Sequence, residues 1–282
     1  MSHDRAGGPD RSATSAMLGH DQRCRAVSPH LAAPNYGGAR NGRDRICLDD
    51  ETISDIWDSD TRAKGWSMTA GRRPVVPVSP GVIAIIRLRH IAPPEELIEG
   101  LVAGGVRIVE VTLPTPESLS TIRRWSARDD VLVGAGTVRT PGDVHSAADA
   151  GARFIVTPTT VPAVIAAARE RGLPVTCGAL TPTEIDAAAS LGADWIKVFP
   201  VETVGGPAYV SAVVAPLDDI ALVPTGGVDA RLAERYAELG CAGVGVGSWL
   251  VDERSVHAGE WHDIRSRARE ITDAWARGSE RR

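Results

Sequence analysis

Lysine is nearly absent from this chain. Only Lys64 and Lys197 occur among 282 residues, although lysine and arginine together number 31. Arginine therefore supplies almost all of the positive charge. A guanidinium group stays protonated and does not act as an amine nucleophile. Any chemistry that needs an amine side chain is confined to these two lysines.

Paired cysteines and long apolar runs are also missing. The four cysteines are scattered, without the spacing of a zinc site or the density of a disulfide framework: Cys24, Cys47, Cys177 and Cys241. No apolar stretch reaches the roughly 18 residues of a membrane span, and the N-terminus lacks the apolar segment of a secretory signal. We therefore expect a soluble protein of the reducing cytoplasm, without a cysteine-bound zinc site.

Neither charge sign dominates. The formal net charge is -5 and the isoelectric point about 5.8, with acidic and basic residues mixed along the chain. Nucleic-acid-binding domains and proteins that bind anionic membranes carry basic patches, which are not evident here. A small molecule is the expected partner.

The composition changes near residue 72. Residues 1–72 are rich in Gly, Asp, Arg, Ser and Pro and show no sustained period, which predicts a disordered N-terminal extension. Met68 stands close to the change, so an over-extended start is the alternative. Residues 73–282 are expected to form one compact domain.

Within that domain, short apolar segments alternate with amphipathic ones. Eight segments are predicted strands: 82–88, 107–113, 132–138, 154–158, 174–179, 195–200, 221–227 and 243–249. Helical patterns between them open with Thr-Pro, Asp or Pro and close at Gly, as at 140–151, 181–192 and 229–240. Eight strand-helix units predict an α/β fold, the (β/α)8 or TIM barrel. An open doubly wound sheet is the alternative, but its G-x-G-x-x-G fingerprint does not follow the first strand.

Active sites of such barrels lie at the carboxyl ends of the strands, so polar residues late in the apolar segments are the candidates. They are Arg87, Glu110, Thr112, Thr137, Thr157, Lys197, Thr225 and Ser248. Any single threonine is well explained as a satisfied core group. Lys197 is harder to explain, because burial disfavours a charged ammonium and both faces of its strand should be apolar. A neutral amine there would be a nucleophile.

Glu110 lies in a second buried strand, "VEVTL". A buried glutamate and a buried lysine facing one pocket could supply a Schiff-base nucleophile and a proton shuttle, the minimum for a metal-free aldolase. A purely structural Glu110–Lys197 ion pair is the alternative. Two glycine-containing segments, "PTGGV" and "GVGSWL", follow the last two strands, where barrels of this kind bind phosphate. Tight turns are the alternative for either segment alone.

Six ordered motifs, between about Val75 and Trp275, carry a family resemblance: "AGGVRIVEVTL", "VGAGTV", "FIVTP", "IKVFPVE", "VPTGGV" and "GVGSWL". The sequence resembles the 2-keto-3-deoxy-6-phosphogluconate (KDPG) and 4-hydroxy-2-oxoglutarate (KHG) aldolases. The resemblance implies that Lys197 forms the Schiff base and that Glu110 moves protons. It also implies that Thr137 and the backbone at Pro158 hold the pyruvate part, while Phe199 walls the pocket. The implied phosphate ligands are Thr225, Gly226, Gly227, Gly247 and Ser248.

One position departs from the family pattern. Pro114 stands where well-known members have an arginine that binds the substrate carboxylate. Some relatives use an arginine at the end of the first strand, which corresponds to Arg87 here. A guanidinium group binds a carboxylate through two parallel hydrogen bonds, so Arg87 is the predicted clamp.

The implied reaction is cleavage of KDPG to pyruvate and glyceraldehyde 3-phosphate, a step of the Entner-Doudoroff pathway. This reaction is expected to need no metal and no organic cofactor. Cleavage of KHG to pyruvate and glyoxylate is a further expected activity. The resemblance leaves open the galactonate epimer of KDPG as substrate and implies a homotrimer. Two rival functions are a phosphosugar epimerase or isomerase and a non-catalytic phosphate-binding barrel.

Overall fold

The computed structural model describes residues 80–282. The predicted extension, residues 1–72, lies outside the described residues, as do positions 73–79 of the predicted domain. Eight strands follow one another along the described chain: β1 (Gly81–Ile86), β2 (Ile108–Thr112), β3 (Leu132–Gly136), β4 (Ile155–Val156), β5 (Val175–Ala179), β6 (Trp195–Val198), β7 (Leu222–Pro224) and β8 (Gly243–Val246). Each lies within or overlaps a predicted segment.

The strands form a parallel barrel. Each strand from β1 to β6 pairs with the next along the chain, and β1 also pairs with β8. The ring closes between β7 and β8 through a single bridge, Thr225 to Gly245. The prediction of a (β/α)8 barrel is confirmed. The open doubly wound sheet is wrong, because the strands follow in sequential order and the pairing of β1 with β8 and the bridge between β7 and β8 close the ring.

Helices alternate with the strands: α1 (Glu95–Ala103), α2 (Ser118–Trp125), α3 (Pro141–Asp149), α4 (Pro162–Glu170), α5 (Pro182–Ser190), α6 (Gly206–Val214), α7 (Ala230–Glu238), α8 (Glu253–Ala258) and α9 (Trp261–Glu280). A 3-10 turn (Glu202–Val204) precedes α6. Within residues 80–282, no helix combines the length and apolar character that crossing a membrane requires.

Local sequence explains where the helices begin. Thr140 and Thr181 each accept a hydrogen bond from the backbone N–H three residues on, and the acid at that position bonds back, which is a capping box. Asp229 caps α7 in the same way, with its carboxylate accepting from the Leu232 N–H at 2.7 Å. These satisfied N–H groups fix the helix starts that the Thr-Pro and Asp signals predicted.

Two apolar layers hold the barrel together. Strand side chains of one parity pack against the helices, as Ile196 and Val198 do. Side chains of the other parity fill the barrel interior, among them Ile83, Phe154 and Trp195. Some polar residues share this second parity and lie nearer the carboxyl ends of the strands. Their side chains therefore enter the barrel interior beyond these apolar side chains.

Except for β5, the observed strands end earlier than the predicted segments. Strand β6 stops at Val198 rather than residue 200, and β7 stops at Pro224 rather than residue 227. The extra residues belong to the loops at the carboxyl ends of the strands. Buried residues such as Val201 and Val228 continue beyond the strand ends, so hydrophobicity alone does not mark the last paired residue.

Candidate active site

Lys197 enters the barrel interior. It lies on β6 two residues after Trp195, which belongs to the interior apolar cluster, while Ile196 and Val198 pack against the helices. The alternation of strand faces therefore directs Lys197 inward. Its side chain is 5% exposed. The sequence left both faces possible, and the packing of Trp195 decides between them.

Glu110 meets Lys197 inside the barrel. Glu110 Oε2 lies 3.6 Å from Lys197 Nζ, and the Glu110 side chain is 1% exposed. The two residues come from β2 and β6, which are far apart in the sheet order, so only closure of the barrel brings them together. Removing one partner of a buried ion pair typically costs about 3–5 kcal/mol. The predicted pair is present as a buried ion pair, and a movement of about 0.5 Å would bring the amine within hydrogen-bond reach of the carboxylate.

A glycine makes room for the glutamate. A Cβ atom built on Gly136 would lie 1.9 Å from Glu110 Oε1, closer than any packed pair of atoms allows. Glu110 Oε1 is itself buried and accepts no hydrogen bond from residues 80–282. A buried oxygen without a hydrogen-bond donor costs about 1–3 kcal/mol of folding free energy. A ligand hydroxyl that donated to Oε1 would remove this cost.

A second glycine brings backbone close to the lysine. Gly178 on β5 pairs in register with Lys197 on β6. A Cβ on Gly178 would lie 2.3 Å from the carbonyl carbon and oxygen of Pro158, which follows β4. Because Gly178 has no side chain, the backbone at Pro158 can approach β5, the strand beside the one that carries Lys197. The predicted placement of Pro158 beside the site therefore depends on Gly178, which the motif analysis did not single out.

Thr137 has a strained backbone. It follows β3 with a φ of 58°, in the left-handed region that a β-branched residue rarely adopts. Such a conformation costs about 1–3 kcal/mol. Its Oγ1 is buried and has no hydrogen-bond partner within residues 80–282. The strain and the unpaired hydroxyl agree with the predicted role of Thr137 in holding a ligand.

Phe199 connects the lysine to the first glycine loop. Its ring centroid lies 5.6 Å from Lys197 Nζ, within the range of a cation–π contact. A Cβ on Gly226 would lie 3.3 Å from the same ring. Gly226 and Gly227 both have left-handed φ values, 100° and 80°. Phe199 therefore stands between the amine and the loop, as a wall of the predicted pocket would.

The two glycine loops adjoin. They follow β7 and β8, which the Thr225–Gly245 bridge joins. The backbone N–H groups of Gly226, Gly227, Gly247 and Ser248 donate no hydrogen bond within residues 80–282. No atom of that range lies within 4 Å of a Cβ built on Gly247. Unpaired N–H groups beside open space favour an anion.

The Thr225 hydroxyl has a partner already. It donates to the Val223 carbonyl at 3.1 Å, whereas Ser248 is exposed at the carboxyl end of β8. Donation from Thr225 to an anion would therefore require its hydroxyl to rotate. Among the predicted donors of this region, the backbone groups and Ser248 are available without such a change.

Arg87 follows β1 directly and is exposed, and its backbone is held on both sides. The Thr115 hydroxyl donates to the Ile86 carbonyl at 3.2 Å, and its oxygen lies 3.3 Å from the Leu88 N–H, from which it accepts. Glu253 of α8 accepts from the N–H groups of Arg89 and His90 at 3.1 and 2.7 Å.

Burial alone would raise the pKa of Glu253, but these N–H donors lower it below its ordinary value. Pro114, the departure from the family pattern, is exposed in the turn after β2 and directly precedes Thr115. Through the hydrogen bonds of its hydroxyl to Ile86 and Leu88, Thr115 fixes the backbone on both sides of Arg87. The sequence did not reveal this connection.

Other polar candidates have structural partners. The Thr112 and Thr115 hydroxyl oxygens lie 3.0 Å apart and share a hydrogen bond. The Thr157 hydroxyl accepts from the Gly178 N–H at 3.1 Å. Both threonines are satisfied core groups, as expected for a threonine taken singly. Within residues 80–282, no three His, Cys, Asp or Glu side chains gather as metal ligands.

A protein-family model and two known relatives match most of the described residues. The family model for KDPG and KHG aldolases matches residues 76–267. The 2-dehydro-3-deoxy-phosphogluconate aldolase of Treponema pallidum (strain Nichols) is 37% identical over 190 residues, which is 65% of this chain and 88% of the relative. The KHG/KDPG aldolase of Escherichia coli (strain K12) is 34% identical over 204 residues, covering 71% of this chain and 91% of the relative.

A solved structure agrees with these relatives. It is the KDPG aldolase of Legionella pneumophila with pyruvate captured at low pH as a covalent carbinolamine intermediate. The TM-score is 0.63 at 31% identity, over 69% of this chain and 94% of that one. All six motifs fall inside the matched range, so the predicted resemblance and the enzyme class, an aldolase and thus a lyase, are confirmed. This chain belongs to the KDPG and KHG aldolase family.

Proposed function

We propose that this chain is a class I aldolase that cleaves KDPG to pyruvate and glyceraldehyde 3-phosphate through a Schiff base on Lys197. One observation supports the proposal above all others. The buried amine of Lys197 lies 3.6 Å from the carboxylate of Glu110, in the interior of a barrel whose glycine loops have unpaired N–H groups. The same residues would cleave KHG to pyruvate and glyoxylate.

The reaction begins at the C2 ketone. A proton passes from the Lys197 ammonium to Glu110, and the neutral amine adds to C2 to give a carbinolamine. Glu110, directly or through a water, then protonates the departing hydroxyl, so that one water leaves and the imine forms. Thr137 and the backbone at Pro158 hold the pyruvate part, and Arg87 binds the carboxylate.

Cleavage uses the imine as the electron sink. Glu110 removes the proton of the C4 hydroxyl, the C3–C4 bond breaks, and its electron pair moves into the imine to form an enamine. Glyceraldehyde 3-phosphate departs from the phosphate loops. Glu110 returns the proton to C3, and one water hydrolyses the imine to release pyruvate and restore Lys197. The unpaired Glu110 Oε1 is the oxygen best placed to receive the C4 proton.

Reduction with borohydride in the presence of pyruvate tests this assignment. Mass spectrometry of the digested protein should find the reduced pyruvate adduct on Lys197. Lys64 is the only other lysine of the chain, so Lys64→Arg is the matched control and should label like the wild type. Lys197→Arg should neither label nor cleave KDPG, because a guanidinium does not form the imine. An active and unlabelled protein would refute the proposal.

The rival functions give different results in the same experiments. A phosphosugar epimerase would leave both lysines unlabelled by pyruvate. If the Glu110–Lys197 pair were only structural, the double variant Glu110→Leu with Lys197→Met would preserve or raise stability and remove no activity, since apolar replacement of buried pairs is often neutral or stabilising. Rates with KDPG, its galactonate epimer and KHG would identify the preferred keto acid.

The remaining features of the proposal concern the whole molecule. The catalytic domain is residues 73–282, and the active form is a homotrimer in the cytoplasm. The family resemblance supports the trimer, and sedimentation of the full chain tests it.

A further inference from the structure

Glu202 lies against the first glycine loop, the segment "PTGGV" at the end of β7. Strand β6 leads through Val201 into the 3-10 turn that begins at Glu202. The Val201 N–H donates to the Thr225 carbonyl at 2.9 Å, and the Glu202 N–H donates to the Gly226 carbonyl at 3.4 Å. The segment after β6 is thus bonded to the carbonyl groups of the loop whose N–H groups are unpaired.

Two glycines make room for the Glu202 side chain. A Cβ built on Gly227 would lie 2.5 Å from Glu202 Cγ, and one built on Gly206 would lie 2.6 Å from Glu202 Oε1. Both glycines have left-handed φ values, 80° and 57°. The stem of Glu202 therefore supports Gly227 directly, and the carboxylate reaches past it towards the start of α6.

Tyr236 holds the carboxylate from the other side. Its hydroxyl donates to Glu202 Oε1 at 2.7 Å, and the tyrosine is completely buried on α7, the helix that follows the loop. Burial, and then the hydrogen bond to Glu202, raise the pKa of Tyr236 well above its ordinary value, so the hydroxyl remains a donor. A hydrogen bond to a charged acceptor is about twice as strong as a neutral one.

A carboxylate here needs an explanation, because it repels the anion that the loop would bind. Its charge-assisted bond to Tyr236 ties the loop to both the preceding and the following helical segments. A neutral and flexible side chain would hold the loop less firmly. The geometry therefore indicates that rigidity of the loop outweighs the repulsion.

We propose that Glu202 and Tyr236 are positioning residues that hold the Gly226 and Gly227 N–H groups in place for a substrate phosphate, and so set the preference for phosphorylated over unphosphorylated keto acids. The inference rests on the proposed aldolase function, because it assigns the phosphate to this loop. The pair does not contact the reacting carbons, so its loss should spare the chemistry at Lys197.

Tyr236→Phe is the main test, since it removes only the hydroxyl. The KM for KDPG should rise about tenfold, because a lost hydrogen bond to a charged group typically changes an equilibrium constant by that factor or more. The kcat should change less than about threefold. Exchange of the pyruvate methyl protons with deuterium, followed by NMR, needs the imine but no phosphate and should keep its wild-type rate.

Two further variants separate positioning from general destabilisation. Glu202→Gln keeps the stem and an acceptor for Tyr236 but loses the charge, so it should raise the KM less than Tyr236→Phe does. Glu202→Ala should raise the KM further than Tyr236→Phe, because it removes the stem as well. Thr272→Val is the matched control. The Thr272 hydroxyl bonds the Gly104 carbonyl just before β2, at the opposite end of the barrel. This variant should lower the melting temperature without changing the KM for KDPG.

The outcomes distinguish the two proposals. Equal losses of KDPG cleavage and pyruvate exchange in Tyr236→Phe, or no change in KM, would overturn the positioning role. A wild-type protein that pyruvate and borohydride do not label would instead overturn the aldolase function. In that case, calorimetric titration with inorganic phosphate still tests the loop, and binding equal in wild type and Tyr236→Phe would refute the positioning role as well.

Discussion

Gly136→Ala offers the sharpest test of how the barrel holds Glu110. The backbone of Gly136 lies in β3 without a left-handed φ, so alanine is compatible with the local conformation. The three atoms nearest to the added methyl group all belong to Glu110, at 1.9 Å for Oε1, 2.4 Å for Cδ and 2.5 Å for Cγ. The perturbation is thus a displacement of the proposed proton shuttle by a residue that takes no part in the chemistry.

The distances give the size of the effect. Nonbonded heavy atoms settle about 3.5 Å apart, so the carboxylate must move by roughly 1.5 Å. Misplacing a catalytic group by about 1 Å can lower the rate about 100-fold, which corresponds to about 2.7 kcal/mol of activation free energy. The crowding itself should cost about 1–3 kcal/mol of folding free energy. We therefore expect a folded protein with a strongly reduced kcat.

The assay couples pyruvate release from KDPG to the oxidation of NADH by lactate dehydrogenase. Gly142→Ala is the control, because the nearest atom to its new Cβ is Thr140 Oγ1 at 3.7 Å and its helical position favours alanine. Glu110→Gln should lose activity by itself. Adding Gly136→Ala to it should cost nothing more, because both changes remove the same function.

Wild-type kcat in a folded Gly136→Ala protein would refute the reasoning. So would additive losses in the double variant, because the alanine would then act on something other than Glu110. Circular dichroism and thermal unfolding of each variant establish that the comparison is made between folded proteins.

Three further predictions follow from the structure: two concern residues near the site, and one concerns a helix cap. Thr115→Val should raise the KM for the keto acid about tenfold with little change in kcat, because Arg87 loses the hydroxyl that bonds its neighbours; a lowered kcat at constant KM would contradict this. Gly247→Ala should leave the free energy of unfolding within about 0.5 kcal/mol yet raise the KM for KDPG, since its methyl meets no atom of residues 80–282 but would crowd the phosphate; steady-state kinetics and urea titration check both parts. Hydrogen bonds from the Thr181 and Leu180 N–H groups lower the pKa of Glu184. This stabilisation is therefore present above the unfolded pKa and is lost as pH falls through the folded pKa. Glu184→Ala should cost about 1 kcal/mol at pH 7 and less below pH 4, in urea titrations at several pH values.

Local chemistry determined much of the fold. The alternation of apolar segments and capped helices predicted eight strand-helix units, because strand burial and N-cap hydrogen bonds depend on residues close in sequence. The scarcity of lysine singled out Lys197, and an acid inside the apolar segment "VEVTL" singled out Glu110. These signals are polar residues at positions where burial demands a reason.

Only the tertiary structure decided which residues meet. Strand parity left Lys197 two possible faces, and the packing of Trp195 inside the barrel chose one. The 3.6 Å approach of Lys197 to Glu110 depends on closure of the ring, which no local pattern fixes.

The supporting residues were hidden in the sequence for the same reason. Gly136, Gly178, Thr115 and Tyr236 contact residues 20 to 34 positions away, as in the approach of Gly178 to Pro158 and the hydrogen bond from Tyr236 to Glu202. The sequence does not show which side chain occupies the space beside a strand glycine. A tyrosine in a helix likewise looks like any other core residue. The proposed amine chemistry could be inferred from the sequence, whereas the space and rigidity that this chemistry would require are properties of the folded barrel.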